Sequence, residues 1–524
     1  MDFFFLLSLV VLLLLTASDA APMSDAAPTV TIDSGAVFGM ATSLAGAKAP
    51  VDKYLGIPFA APPIRFAPAV KPTPWEKPFN ATQYGPACLQ AFNYPEASRN
   101  ASMAWYNTPP PPAGESEDCL NLNVYVPRTA SKNKTVMAWI YGGSLRIGYN
   151  SHPAYDGSYF AANQDVIIVA LNYRTNVFGF PNSPELPLTE RNLGFLDQRF
   201  ALDWIQRNIA AFGGDPKKVT IFGESAGAGS VDVLVTTMPK NPPFRAAIMQ
   251  SGQATSYVNT TNAPGGWFAL SAALNCTQTH PSSNLTCLRN QTALKLKNTI
   301  ERFALPFRPV TDNVTTLRYP EDARLNRSVA NVPILAGTNA DEATSFIVGM
   351  TNATAYVGNL FPGQTELVNN ILSAYPATGA DQVEDIVNDL SFLCPLATYT
   401  NDSKNAGFPT WRYFYNMTFP NIGLAGLPNA GVFHSSEISI VFGTYPRTNA
   451  TEYQRSLSDY MQTSWATFAK NPQGGPGWQA VPVVASLGTG GVLNTPTTAG
   501  ALDKNCHLYR ETFEEIGIAP KSED

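Results

Sequence analysis

Residues 222–227 read FGESAG and contain the pattern glycine-x-serine-x-glycine, with Ser225 at its centre. A short β-branched run at residues 219–221 precedes the pattern, and residues 228–238 have the composition of a helix. Between a strand and a helix, this pattern predicts a sharp, strained turn with the serine at its apex. Glycine on each side tolerates the tight backbone path and leaves room for neighbouring backbone. A glycine- and serine-rich surface loop is the simpler reading, but the flanking segments favour a nucleophile at a helix N-terminus.

The rest of the chain predicts a large α/β fold. The sequence has 524 residues, of which 44% are hydrophobic, so it holds enough apolar side chains for a large core. No linker divides the chain, and we predict a single domain over residues 21–524. Short apolar strands alternate with helical segments such as residues 201–211, which predicts a mostly parallel sheet covered on both faces. The predicted strands include residues 120–126, 136–141, 165–172, 246–249, 332–336 and 410–416.

The N-terminus predicts secretion. Residues 3–15 are apolar apart from Ser8, and the small residues Ser18 and Ala20 follow, as a signal peptidase requires. Because this run is too short to span a bilayer comfortably, we predict that residues 1–20 are a signal peptide. Asp2, with no Lys or Arg before the run, leaves a retained signal anchor as the weaker alternative.

Cysteines and glycosylation signals agree with an extracellular location. The six cysteines can form three disulfides, as is usual in an oxidising compartment. Thirteen N-x-S/T sequons predict a glycosylated surface, and none lies between residues 165 and 253, where the buried strands are expected. The net charge of −6 and the lack of a basic block argue against binding to nucleic acid. The sequons begin at Asn80, Asn100, Asn133, Asn259, Asn275, Asn284, Asn290, Asn313, Asn326, Asn352, Asn401, Asn416 and Asn449.

A proline-rich segment lies between Cys88 and Cys119. It contains Trp105, Tyr106 and four consecutive prolines at residues 109–112, which predict stiff polyproline II structure rather than packed structure. A disulfide between its ends would hold the loop near the body and leave its tip free. We interpret the loop as a lid or rim over a pocket, and a surface loop without function is the alternative.

A serine hydroxyl needs a base to become a nucleophile, and the chain contains only four histidines. His280 lies among sequons and is expected to be exposed, and His507 adjoins a cysteine near the C-terminus, where a structural role is favoured. His152 is a minor candidate. His434, in a loop after a predicted strand, is therefore the best candidate for the general base.

The base needs a carboxylate partner that fixes its tautomer. In this fold class the order along the chain is nucleophile, acid, histidine, so the acid should lie between Ser225 and His434 after a sheet strand. The adjacent Asp341 and Glu342 both meet that requirement, and position alone does not separate them.

Acyl transfer also needs amide donors for the developing oxyanion. Gly142, Gly143 and Ser144 follow a predicted buried strand, and Ala226 follows the serine, so their amides are the candidates. A simple tight turn is the alternative interpretation of the glycine pair.

Taken together, these motifs resemble the type B carboxylesterases, a family that includes cholinesterases and large fungal lipases. Residues 212–227 resemble the serine signature of the family, from Phe212-Gly213-Gly214 to Gly227. Residues 117–127 resemble its second signature, with Asn121 where an aromatic residue or threonine is usual. The resemblance extends from about Val37 to Cys506.

The resemblance implies an α/β-hydrolase fold with helical insertions and a disulfide-closed lid loop. It implies that Ser225 is the nucleophile, His434 the base and Glu342 the acid, with no metal or cofactor. It places the oxyanion donors at Gly143, Ser144 and Ala226, and buried polar residues supporting the histidine at Glu224, Ser251 and Glu437. It also pairs the cysteines as Cys88–Cys119, Cys276–Cys287 and Cys394–Cys506.

Two positions bear on specificity. The family usually has three glycines and an aromatic residue where this chain has Gly142-Gly143-Ser144-Leu145, so the Ser144 side chain is expected to crowd the oxyanion hole or restrict φ. Trp105 lies where cholinesterases place the tryptophan that stacks on choline, although lid tryptophans also serve apolar substrates.

We therefore predict a secreted, N-glycosylated serine esterase that hydrolyses small-molecule or lipid carboxylic esters through an acyl-enzyme. A lipase or sterol esterase that contacts a lipid interface is the nearest enzymatic alternative. A non-catalytic adhesion or binding protein is the alternative of another class, and the presence of Ser225, Glu342 and His434 weighs against it.

Overall fold

The computed structural model describes residues 27–257, 262–277 and 282–519. The predicted signal peptide, His280 and Asn259 lie outside the described residues. The core of the fold is an eleven-stranded sheet. Its strands are β1 Met40–Thr42, β2 Val51–Pro58, β3 Asn121–Pro127, β4 Lys134–Ile140, β5 Ile167–Leu171, β6 Gly214–Glu224, β7 Ala246–Gln250, β8 Ile334–Asn339, β9 Thr410–Tyr415, β10 Val483–Leu487 and β11 Asn494–Thr498.

The strand order is β11-β10-β9-β8-β7-β6-β4-β5-β3-β2-β1. The pairs from β5 through β4 and β6 to β10 are parallel, and the pairs at both edges are antiparallel. Every residue of β4, β5, β7 and β8 is buried. Because successive side chains point to opposite faces, these strands are covered on both sides. The predicted mostly parallel α/β sheet is confirmed.

Helices flank this sheet. Two small sheets lie apart from it, one of Thr29–Ile32, Gly35–Phe38 and Phe79–Asn80, and one of Ala87–Cys88 and Glu115–Ser116. The α-helices are α1 Glu96–Trp105, α2 Ser158–Gln164, α3 Asn176–Gly179, α4 Leu193–Asn208, α5 Ala226–Thr237, α6 Gly265–Ala273, α7 Ser282–Asn290, α8 Ala293–Arg302, α9 Pro320–Leu325, α10 Ala353–Leu360, α11 Thr365–Ala374, α12 Ala380–Asn388, α13 Cys394–Asn405, α14 Ile438–Phe442, α15 Glu452–Lys470, α16 Ala499–Leu502 and α17 Arg510–Ile516.

The turn between β6 and α5 is closely packed because glycine brings two backbones together. A Cβ on Gly227 would lie 2.0 Å from the carbonyl oxygen of Ile140, at the end of β4. A Cβ on Gly223 would lie 2.6 Å from the same oxygen. The two glycines of the motif therefore allow α5 to start directly against the neighbouring strand.

The six cysteines form three disulfides, with the pairing that the family resemblance implies. They are Cys88–Cys119, Cys276–Cys287 and Cys394–Cys506. Among the described helices, none is long and apolar enough to cross a membrane.

The loop closed by Cys88 and Cys119 is not free at its tip, so that expectation was wrong. It contains the helix α1, which the sequence analysis did not predict, and Arg99 on this helix forms hydrogen bonds of 2.7 and 2.9 Å with the carboxylate of Glu301. The proline run at 109–112 has no helix or strand. The carbonyl of Pro109 nevertheless accepts a hydrogen bond of 2.5 Å from the Tyr149 hydroxyl, so the loop is anchored to the body on both sides of Trp105.

The sequon asparagines are mostly exposed. Among those the structure describes, Asn416 is half-buried and Asn284 is buried, with 8% of its surface exposed. The expectation of a surface sequon is therefore wrong for Asn284, which lies on α7 beside the Cys276–Cys287 disulfide. The exposed asparagines are Asn80, Asn100, Asn133, Asn275, Asn290, Asn313, Asn326, Asn352, Asn401 and Asn449.

Replacing Gly227 by alanine tests the packing of the turn. Because the added methyl group would collide with backbone, we expect Gly227→Ala to lower the free energy of unfolding by about 1–3 kcal/mol. Gly358 on α10 is a matched control, since a Cβ there meets no atom within 4 Å. Gly358→Ala should instead raise stability by up to about 1 kcal/mol through helix propensity. Chemical denaturation followed by tryptophan fluorescence measures both, and equal stability of the two variants would contradict this account.

Candidate active site

Ser225 occupies the sharp turn that the sequence predicts. Its backbone has φ 56° and ψ −124°, a conformation with positive φ outside the left-handed helical region that is rare for residues other than glycine. Its amide donates a hydrogen bond of 2.8 Å to the carbonyl of Gln250 at the end of β7. The half-buried side chain lines a cavity of about 410 Å³, a volume within the usual range for small-ligand sites.

Three parallel strands deliver the candidate catalytic residues to one edge of the sheet. Ser225 follows β6, Glu342 lies three residues after β8, and His434 lies in the long loop after β9. Because the carboxyl ends of parallel strands meet at the same edge, residues far apart in sequence become neighbours there. The structure therefore brings together the residues that the sequence analysis singled out.

His434 and Glu342 form a short, buried contact. The Nδ1 atom of His434 lies 2.6 Å from Oε2 of Glu342, and the side chains are 8% and 1% exposed. The same carboxylate accepts a hydrogen bond from the Ser251 hydroxyl at 2.5 Å and one from the Asn339 amide at 2.7 Å. These bonds hold Glu342 in the orientation in which it can bind an Nδ1–H proton.

Asp341 is engaged elsewhere, which separates the two adjacent carboxylates. Its Oδ2 atom accepts a hydrogen bond of 2.6 Å from the amide of Val432. This contact ties the loop after β8 to the loop that carries His434. Asp341 therefore supports the backbone, whereas Glu342 contacts the imidazole.

Two buried residues that the sequence analysis missed connect Glu437 to this group. Glu437 accepts hydrogen bonds from the side-chain amides of Asn339, at 2.7 Å, and Gln250, at 2.8 Å. Asn339 also donates to the carbonyl of Phe433, next to His434. Glu437 thus reaches the histidine through Asn339 and not directly. The only signal in the sequence was the position of Asn339 at the end of β8, three residues before Glu342.

The imidazole of His434 is also held by aromatic rings. Phe346 and Phe392 lie with their ring centroids 5.2 and 5.1 Å from that of the imidazole. Both come from the helical region between β8 and β9. No pattern in the sequence distinguishes them from ordinary core residues.

Glu224 lies on the other side of the imidazole. Its Oε1 atom is 3.0 Å from Nε2 of His434 and accepts a hydrogen bond of 2.6 Å from the Ser435 hydroxyl. The contact with His434 is close but poorly aligned, so Nε2 has no hydrogen-bond partner among the described residues. This nitrogen is buried and forms no hydrogen bond with the described residues, and His434 lines the same cavity as Ser225.

Burial and neighbouring charges set the protonation of this pair. Burial lowers the pKa of His434, but the carboxylates of Glu224 and Glu342 raise it by more than burial lowers it. The resulting pKa is about 9, above the ordinary value for histidine. Burial raises the pKa of Glu224 to about 7, against the opposing effect of the His434 charge. The carboxylates therefore stabilise the imidazolium form.

Two of the three predicted oxyanion donors, Gly143 and Ser144, line the same cavity, and the third, Ala226, directly follows Ser225. In Gly143 φ is 100°, and in Ser144 and Leu145 it is 56°, so the chain takes a left-handed path that glycine tolerates best. The Gly143 and Ser144 amides donate to no acceptor in the described part of the chain. Ala226 is the first residue of α5, where amides have no partner within the helix. The Ser144 side chain is exposed. Its expected crowding of the oxyanion hole remains a prediction.

The loop closed by Cys88 and Cys119, which we interpret as a lid, contributes to the lining of the cavity. Trp105 at the end of α1 borders it and makes no ring or cation contact with any other described residue. His152 also borders the cavity, but it is a structural residue. Its Nδ1 atom accepts a hydrogen bond from the Ala154 amide, and its Nε2 atom lies 2.7 Å from the carbonyl of Asn107 in the lid loop.

Comparisons with known proteins agree with this geometry. The model of the carboxylesterase family matches residues 26–492. The chain is 33% identical over 489 residues to cholinesterase of Mus musculus, covering 86% of this chain and 80% of that protein. It is also 33% identical over 451 residues to para-nitrobenzyl esterase of Bacillus subtilis, covering 82% of this chain and 88% of that protein. It is 33% identical over 514 residues to carboxylesterase 1D of Rattus norvegicus, covering 89% of this chain and 90% of that protein. The chain therefore belongs to the carboxylesterase family and is a carboxylic ester hydrolase.

Proposed function

We propose that the protein hydrolyses small carboxylic esters through an acyl-enzyme formed on Ser225, with His434 as general base and Glu342 as its carboxylate partner. The observation that carries this proposal is the buried 2.6 Å contact between His434 and Glu342 at the cavity that Ser225 lines. A purely binding protein would gain nothing from an imidazole held in this way, because burying the charged groups is costly.

The reaction follows from these positions. The Ser225 oxygen forms a bond to the ester carbonyl carbon as its proton passes to Nε2 of His434, and the carbonyl π-electrons move to oxygen. The amides of Gly143, Ser144 and Ala226 stabilise that oxyanion, and a single such donor contributes about 3 kcal/mol in other enzymes. The C–O bond to the alcohol then breaks, and the alcohol leaves with the proton from His434. Water repeats the sequence on the acyl-enzyme and releases the acid.

The supporting residues have distinct roles in this proposal. Ser251 and Asn339 orient Glu342, and Glu437 holds Asn339 in place. Glu224 raises the basicity of His434 and stabilises the imidazolium that forms during attack. All four act through another residue, so we describe them as positioning residues.

The cavity favours an esterase for small substrates over a lipase. Its volume of about 410 Å³ suits a compact ester, and the lid loop is anchored through Arg99 and Pro109. A lipase or sterol esterase, with contact to a lipid interface, remains the second candidate, because the partly exposed ring of Trp105 and the 39% exposed ring of Tyr106 border the same entrance. The aromatic face of Trp105 also suits a cationic alcohol group.

We further propose that the protein is secreted and N-glycosylated. Three disulfides and the exposed sequon asparagines support this location. The apolar residues 3–15 would serve as the core of a signal peptide ending near residue 20.

A series of p-nitrophenyl esters of increasing acyl length, with butyrylthiocholine beside it, tests the proposed function. We expect the highest kcat/KM at short acyl chains, and we expect Ser225→Ala to lower kcat by about 10³-fold or more on every substrate. Ser230→Ala is a control on the same helix, since the Ser230 hydroxyl donates to the carbonyl of Ala226, accepts from Gln198 and interacts with Tyr257, and Ser230 does not line the cavity. Unchanged hydrolysis by Ser225→Ala would refute the mechanism, and a maximum at long chains with activation by lipid emulsions would favour the lipase.

The pH dependence of kcat/KM tests the role of Glu224. The base must be neutral in the free enzyme, so activity should rise with pH and level off above the raised His434 pKa of about 9. Glu224→Gln removes one of the negative charges that raise this pKa, so the acid limb should move to lower pH by about one unit or more. An acid limb at the same pH in both enzymes would show that Glu224 does not set the His434 pKa.

A further inference from the structure

Charged side chains are scarce in the cavity that holds Ser225. Among its described lining residues they are Glu224, His434 and Arg146. Glu224 and His434 contact each other and belong to the catalytic group. His152 also lines the cavity, but burial lowers its pKa to about 4, so its imidazole is neutral at pH 7. Arg146 is therefore the one lasting cation on the described wall that the proposed mechanism does not use.

The backbone of Arg146 is fixed beside the oxyanion loop. Its amide donates a hydrogen bond of 3.0 Å to the carbonyl of Gly143, and its own carbonyl accepts one of 3.0 Å from the amide of Ala91. The residue stands two positions after Ser144, and its side chain is exposed where it borders the cavity. The guanidinium is therefore carried on the same turn as the proposed oxyanion donors.

The guanidinium of Arg146 lacks a carboxylate partner. No carboxylate oxygen of the described residues lies within 4.0 Å of it, and its one hydrogen bond, to the carbonyl of Phe92, is long at 3.5 Å. The Glu301 carboxylate acts on it from further away but is bound at 2.7 and 2.9 Å by Arg99. By contrast, the buried Arg174 is paired with Asp197 at 2.6 Å. Within the described part of the chain, most of the hydrogen-bonding capacity of the Arg146 guanidinium is unused.

We propose that Arg146 is a specificity-determining residue that binds a carboxylate group carried by the ester substrate, on either its acyl or its alcohol side. A guanidinium matches a carboxylate with two parallel hydrogen bonds, and such charge-assisted bonds are stronger than those between neutral groups. The inference rests on the proposed attack by Ser225, because the carboxylate must be bound while the ester lies at that serine.

Matched pairs of esters test this inference on the intact protein. On the acyl side, p-nitrophenyl hydrogen glutarate is compared with neutral p-nitrophenyl valerate. On the alcohol side, 4-acetoxybenzoate is compared with 4-acetoxybenzamide. We expect a higher kcat/KM for the anionic ester in at least one pair, and we expect Arg146→Gln to lower that value about tenfold or more while changing the neutral ester by less than about threefold.

Arg308 provides the control for a general effect of positive charge. It acts electrostatically on Arg146 and is exposed, but it does not line the cavity. Arg308→Gln should leave the ratio of anionic to neutral kcat/KM unchanged. In the unmodified enzyme, raising the salt concentration should lower this ratio because salt screens the charge pair, a readout that does not depend on how well a variant folds.

The outcomes separate this inference from the proposed function. If neutral esters are hydrolysed but neither anionic ester is preferred, or if the preference is insensitive to salt or equal in Arg146→Gln, the role of Arg146 is refuted and the mechanism at Ser225 stands. If neither neutral nor anionic esters are hydrolysed, the proposed function itself fails.

Discussion

The active site depends on the contact between His434 and Glu342. An imidazolium and a carboxylate, both nearly excluded from water, stabilise each other only if their remaining polar atoms are bound. Ser251 and Asn339 bind the carboxylate, and Phe346 and Phe392 confine the ring. Nε2 of the imidazole forms no hydrogen bond with the described residues, although Oε1 of Glu224 lies 3.0 Å from it, and His434 lines the same cavity as Ser225.

The central sheet fixes the positions of the loops that carry His434 and Glu342. Glu342 and His434 lie on loops that follow β8 and β9, and Ser225 and Ser251 follow β6 and β7. These four strands are consecutive neighbours in the parallel part of the sheet. Because these strands are buried in the core, the core fixes the points at which the loops begin. Ser225, Ser251 and Glu342 lie within three residues of the ends of their strands, so their side chains are held at this edge of the sheet. The long loop before His434 is fixed instead by the bond from the Val432 amide to Asp341.

The sequence predicted those parts of the site that follow from local patterns. The turn at Ser225 has a fixed spacing of glycines, and the scarcity of histidines singled out His434. The choice between Asp341 and Glu342 did not follow from position, since both lie in one loop after one strand, and only the family resemblance or the structure separates them. Helix α1 and its ion pair with Glu301 were not predictable, because proline-rich composition hid the helix and the pair joins residues about 200 positions apart. The roles of four residues follow only from contacts that the fold creates between distant parts of the chain. They are the hydrogen bonds of Asn339 and Gln250 with Glu437 and the ring contacts of Phe346 and Phe392 with His434.

The proposed catalytic residues and the proposed specificity residues lie on different parts of the fold. The group around His434 is built from sheet termini and is closed by hydrogen bonds, so its chemistry is largely independent of the substrate. The lid loop with Trp105, and the turn with Ser144 and Arg146, form the other wall of the cavity. We propose that substrate choice depends on that wall, where the exposed residues Ser144 and Arg146 lie on one turn with Gly143 and the Arg146 guanidinium has no carboxylate within 4.0 Å among the described residues.

The most direct test of the central claim compares the two adjacent carboxylates. We predict that Glu342→Gln lowers kcat for p-nitrophenyl butyrate by about 10³-fold or more, because the neutral side chain no longer stabilises the His434 imidazolium. Asp341→Asn keeps an oxygen for the Val432 amide and should retain activity within about tenfold, by the usual magnitude of one hydrogen bond. Both proteins must first show the same circular dichroism as the parent. Comparable activity of the two variants, or a larger loss in Asp341→Asn, would contradict the account.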